Sequence, residues 1–130
     1  MPKSSTWAPW LLSALRIVAG FLYMAHGTQK LFNFPVSAGT APRALNAMMT
    51  TAGILECFGG LLILIGLFTR PVAFVLSGQM AVAYFMAHAS RAFWPILNGG
   101  ELAALYCFLF LYFAVAGPGP WSIDGARKRA

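Results

Sequence analysis

The chain is 130 residues long, 59% apolar and only 9% charged, with a mean hydropathy of +0.71. Soluble domains run nearer half apolar and about a quarter charged. A chain this short cannot bury the excess inside itself, so lipid is the solvent that suits it. The net charge of +6 comes from basic residues that stand mostly singly at the ends of apolar runs. That spacing speaks against a nucleic-acid partner and fits membrane topology and phospholipid headgroups.

In chain order, apolar runs at about residues 11–32, 47–68, 71–89 and 98–116 each approach the roughly 20 residues that cross about 30 Å of hydrocarbon. They predict a single membrane domain, an all-α transmembrane four-helix bundle, followed by a short basic cytoplasmic tail at 117–130. Lys3 and the small residues at 37–41 give the first run some features of a cleaved leader. Arg16 interrupts its apolar stretch, however, and its length suits a retained span. Pro35, Gly39 and Pro42 open the first and longest loop. Thr69, Arg70 and Pro71 make a tight second turn, with Pro71 suited to the first position of a helix. Trp94 and Pro95, then Asn98, Gly99 and Gly100, make the third turn, and Gly117, Pro118, Gly119 and Pro120 stop the last run. Short turns make sequence neighbours antiparallel neighbours. Strands do not fit, because runs that are apolar throughout lack the alternation of a barrel and lipid requires backbone groups to be satisfied within each segment.

With four spans both termini share a side with the second loop. That side carries Lys3, Arg70, Arg127, Lys128 and Arg129; Arg43, Arg91 and Lys30 fall on the other. The bias predicts cytoplasmic termini in a multi-pass protein of the inner membrane. Trp7, Trp10, Phe68 and Trp121 form the expected inner aromatic belt, and Phe32, Phe34, Phe93 and Trp94 the outer one.

Ionisable groups inside a membrane are costly and usually face protein or a cavity. The first run holds Arg16, His26 and Lys30, the second Glu56, the third His88 and the fourth Glu101. At about 1.5 Å of rise per residue, all of these except Arg16 fall in the outer half of the bilayer. Tyr23, His26 and Lys30 share one helical stripe, as do Tyr84, His88 and Arg91. Gly53, Glu56 and Gly60 form a third, where the glycines admit a close neighbour. Lys30 and Arg91 balance Glu56 and Glu101 in charge. Arg16, nearer the cytoplasmic end, reads as a snorkelling side chain, with Asp124 as an alternative partner that would pin the tail.

Several readings of the polar cluster stand side by side. It is a structural ion-pair network that fixes helix register. Or it is a pocket for a quinone or another polar-headed lipophile, in which Tyr23, His26, Glu56, Tyr84 and His88 bind the headgroup and histidine and carboxylate supply protons. Or His26, Glu56, His88 and Glu101 bind zinc, iron or manganese, although no tight ligand spacing supports a metal. Cys57 and Cys107 read as buried, inert thiols, with a redox pair as the alternative.

The chain resembles the DoxX family of small bacterial membrane proteins. The resemblance rests on Leu15, Arg16, Ile17, Val18 and Gly20, then His26 and Gly27 followed by Lys30 and Leu31. It continues through Glu56, Gly59, Gly60, Leu61 and Leu62, then Gly66, Leu67, Phe68, Thr69 and Arg70. His88, Gly100, Glu101, Gly117, Pro118, Gly119, Trp121, Ser122, Ile123 and Asp124 complete it. The family takes its name from a subunit associated with thiosulfate:quinone oxidoreductase. The resemblance therefore implies a membrane subunit of a quinone-linked oxidoreductase system. His26, Lys30, Glu56, His88 and Glu101 match the family's polar signature, and their place as catalytic candidates rests on their common depth in the bilayer. No haem, flavin or iron–sulfur motif is present in the sequence, so the redox group is the quinone or belongs to a soluble or membrane partner protein. The alternatives are a non-enzymatic scaffold or assembly factor for redox enzymes, or a small-solute or metal-handling protein that forms a homo-oligomer.

Overall fold

The computed structural model describes residues 6–36, 39 and 45–129; Lys3, Pro42, Arg43 and most of the stretch at 37–41 lie outside the described residues. The elements among the described residues are all helical: α1 (Ala8–Phe32), α2 (Ala47–Ile65), α3 (Thr69–Ala87), α4 (Pro95–Asn98), α5 (Glu101–Ala116) and α6 (Ile123–Arg129).

The helix ends follow local chemistry and correct several expected boundaries. α1 begins at Ala8 rather than at 11, with a proline in its first turn, where a missing N–H costs nothing. α2 is opened by Asn46, whose side chain accepts from the Met49 N–H at 2.8 Å. It stops at Ile65, short of 68, because Gly66 takes a left-handed cap at φ 70°. α3 starts at Thr69, so Pro71 lies inside the first turn and does not open it. The acceptor at this end comes from far along the chain: the Asp124 carboxylate takes the N–H groups of Phe68 and Thr69, each at 2.9 Å. α3 ends at Ala87, leaving His88 and Arg91 in the following turn. The stripe expected for Tyr84, His88 and Arg91 is therefore broken before Arg91. The fourth run is split, because Gly99 at φ 75° ends the short α4 before α5 begins. The tail, expected as a simple basic extension, contains α6.

α1 and α2 are long and apolar enough to cross a membrane. α3 equals α2 in length but carries Arg70, Ser77 and Gln79, and α5 is shorter at 16 residues.

The chain forms two compact units, one made of residues up to Thr69 with those from Pro118 onward, the other of Arg70–Gly117. In the first, α1 and α2 run antiparallel with touching backbones. A Cβ at Gly20 would sit 2.5 Å from the Leu64 nitrogen, and one at Gly60 2.7 Å from the Met24 nitrogen. A Cβ at Gly27 would collide with the backbone of Cys57 and Glu56. Their residues are turned inside out relative to a soluble helix pair. Ser13, Arg16, Tyr23 and Glu56 are buried, while Leu15, Val18, Phe21, Leu22, Phe58 and Leu61 are exposed. Large apolar residues facing outward and small or polar ones facing a helix partner are what lipid solvation selects.

In the second unit α3 and α5 are antiparallel. Ser77 Oγ donates to the Cys107 carbonyl at 2.7 Å. Arg70 donates to the carbonyls of Ala114 and Val115, satisfying acceptors that the end of α5 leaves open.

Candidate functional site

In the first unit, the sequence candidates meet where α1 and α2 touch. Lys30 Nζ donates to Glu56 Oε1 at 2.7 Å, the ion pair among the described residues. Glu56 is 3% exposed, held by the glycine-mediated approach on either side of it. Its second oxygen, Oε2, is buried with no hydrogen-bond partner among the described residues. His26 lies one turn before Lys30 on α1, half-buried, within the field of both charges. Tyr23, on the same stripe, is fully buried. The arrangement brings together an ammonium, a carboxylate with open acceptor capacity and an imidazole. Such a set can bind and orient a polar headgroup and hold its proton.

The second unit holds a different polar centre, organised by Asn98, a residue that sequence reasoning treated only as a turn former. Asn98 is buried. Its amide donates to Tyr84 Oη at 3.1 Å and to the Ala92 carbonyl at 3.0 Å, while Oδ1 accepts from the Gly100 N–H at 2.7 Å. Its carbonyl lies 3.1 Å from His88 Nδ1. A carbonyl can only accept, so Nδ1 carries the proton in this contact. Asn98 thus gathers Tyr84 and His88 as the two turns around α4 close. Glu101, at the start of α5, is exposed and borders a cleft of about 360 Å³ with Pro95, Ile96, Gly99, Leu102 and Leu105. Arg91 is exposed as well; of the two basic and two acidic residues expected to balance, Lys30 and Glu56 are the ones joined as an ion pair among the described residues.

Among the described residues, no three His, Cys, Asp or Glu side chains are grouped to hold a metal ion, so the metal alternative gains no ligand set. Cys57 and Cys107 are both free thiols of intermediate burial.

Arg16 overturns its snorkelling reading. It is fully buried. Nε donates to the Pro118 carbonyl at 2.7 Å, and Nη1 donates to the carbonyls of Ile63 at 2.6 Å and Leu64 at 2.7 Å. Nη2 donates to the Trp121 carbonyl. Arg16 therefore caps the end of α2 and grips the tail through backbone oxygens. Asp124, the alternative partner, makes its hydrogen bonds in capping α3. Ser13 Oγ accepts from the Trp121 N–H at 3.1 Å and Trp10 packs on Trp121 at 5.1 Å between ring centroids, completing the attachment.

A chain whose described elements are all helical, whose large apolar side chains face outward and whose Arg16 and Glu56 are buried between segments is a small helical membrane-associated protein. This chain belongs to the DoxX family, whose model matches residues 11–89; the match takes in His26, Lys30, Glu56 and His88 and ends before Glu101. An uncharacterised protein of Haemophilus influenzae is 44% identical over 128 residues, covering 95% of this chain and 96% of its own length. No solved structure matches the chain.

Proposed function

We propose that the protein is an integral subunit of a quinone-linked oxidoreductase system in the bacterial inner membrane. It crosses the bilayer four times as a helical bundle with both termini in the cytoplasm. Its contribution is to bind the quinone headgroup and manage its proton, while electrons come from a partner protein. The observation that carries this reading is Glu56. It is buried and paired at Oε1 with Lys30, its Oε2 has no partner, and His26 lies beside the pair. A carboxylate and an imidazole at such a place suit proton exchange with a bound headgroup. The basic residues Arg70, Arg127 and Lys128 support the orientation.

The reading is tested by gentle purification from the native membrane and mass spectrometry of retained lipophiles. Stoichiometric quinone or quinol in the wild-type preparation, with its retention altered in Glu56→Gln, supports it. A wild-type preparation that neither retains nor rebinds quinone removes it.

A second reading, a scaffold for soluble redox enzymes, draws on one observation. The tail is a helix fixed by Asp124 and Arg16 that presents Arg127 and Lys128 to solvent. Deleting residues 127–130 would then abolish function while Glu56→Gln is tolerated.

A further inference from the structure

We infer that the Glu56 site selects the reduced, hydroxyl-bearing form of its ligand, a quinol over the corresponding quinone; the inference rests on the quinone reading above. Lys30 approaches Glu56 Oε1 at 2.7 Å, the distance of a charge-assisted bond between an ammonium and a carboxylate. An ionised carboxylate has no proton to donate and can only accept. Oε2 is therefore a buried acceptor with no donor, in a residue 3% exposed. An unsatisfied acceptor in such surroundings carries a desolvation cost that a ligand O–H or N–H removes.

The two redox states of the carrier differ in this one respect. A quinol offers hydroxyl donors, and its proton completes the shell of Oε2. A quinone offers only carbonyl oxygens, which would set one acceptor against another. The ammonium of Lys30 donates to either form and does not discriminate. The pair is also not sealed, since Lys30 keeps 25% of its side chain exposed. The outward faces of α1 and α2 are apolar, so a lipophilic molecule would approach the pair from the bilayer along the exposed flank of Lys30.

The experiment compares decylubiquinol and decylubiquinone at equilibrium with the full-length protein in phosphatidylcholine nanodiscs, under argon. The wild type is expected to bind the quinol about tenfold more tightly, equivalent to about 1.4 kcal/mol. Glu56→Gln places both a donor and an acceptor at the site and is expected to reduce the preference to about threefold or less. Glu56→Asp keeps the charge but withdraws the acceptor, and it serves if Glu56→Gln does not fold; it should weaken quinol binding and leave quinone binding unchanged. Equal affinities, or tighter quinone binding, in the wild type overturn the inference while leaving the quinone reading in place. Binding of neither form removes both. A quinol preference that persists in Glu56→Gln overturns the assignment to Glu56.

Discussion

Nε of Arg16 donates to the carbonyl of Pro118 at 2.7 Å, tying the middle of α1 to a residue 102 positions further along the chain. The same guanidinium reaches the last carbonyls of α2 and the carbonyl of Trp121, so one side chain joins three segments of the first unit. Arginine suits this role because its planar fork offers five donors and stays charged. Arg16→Ala leaves these carbonyls buried and unsatisfied and is expected to cost about 3–5 kcal/mol. Arg16→Lys, with fewer and differently directed donors, should recover less than half. Thermal unfolding in mild detergent, with limited proteolysis of the tail as a second readout, measures both; an Arg16→Ala protein as stable as wild type would contradict the role of these carbonyl contacts.

The approach of α1 to α2 has no room for side chains at the glycines. Gly60→Val drives methyl groups into the Met24 backbone and is expected to destabilise the protein by about 1–3 kcal/mol. Gly78 on α3 is the control, because a Cβ there meets nothing within 4 Å. Gly78→Ala is expected to be neutral or to stabilise by about 0.5–1 kcal/mol through helix propensity. Melting curves of the two variants check the contrast.

Lys30 and Glu56 form a coupled pair, and a double-mutant cycle isolates the coupling. Glu56→Met leaves an ammonium beside an apolar contact, and Lys30→Met leaves a buried carboxylate unpaired. Each single change should destabilise more than the double replacement implies, with a coupling energy of about 1–3 kcal/mol. Additive effects would show that the pair is energetically idle.

Stability should depend on acid through Asp124. Burial pushes its carboxyl up, but hydrogen bonds from the backbone N–H groups of Thr69 and Phe68, with Arg127 nearby, outweigh this and hold it below the usual carboxylate range. A depressed folded value means the unfolded chain binds the proton more tightly. The contribution of Asp124 is therefore fully present above its unfolded value of about 3.9 and is lost as pH falls through the folded value. The melting temperature should fall below about pH 4, and Asp124→Asn should lower it at neutral pH while flattening that acid limb. Melting curves between neutral pH and pH 3 test the sign.

Asn98 is the hub of the second unit. Asn98→Ala removes its bonds to Tyr84, Ala92 and Gly100 and should cost about 2–3 kcal/mol. It should also release the Tyr84 ring and loosen the turn that carries the Asn98 carbonyl against His88, seen as faster hydrogen exchange in residues 84–100 than in α1. Uniform exchange across both units would show that Asn98 does not organise this one.

The sequence by itself determined the solvent, the helical class and the close contact of α1 with α2. These depend on quantities that residues carry individually: hydrophobicity, the conformational limits of glycine and proline, and a repeat near 3.6 that places Gly53, Glu56 and Gly60 on one stripe. The placing of Glu56 on a close-packed glycine stripe was legible for the same reason. Which of two basic residues would meet which of two acidic ones was not, and the tertiary structure joins Lys30 to Glu56. Tertiary structure alone decided what Arg16, Asp124 and Asn98 do. Their partners are mostly backbone carbonyls and N–H groups, which are alike at every residue, so no letter in the sequence marks which one will be met. Arg16 reads as a lipid-facing snorkel until Ile63, Leu64, Pro118 and Trp121 are brought around it. Asp124 reads as its alternative partner, yet its carboxylate takes two N–H groups at the start of α3 as its hydrogen-bond donors.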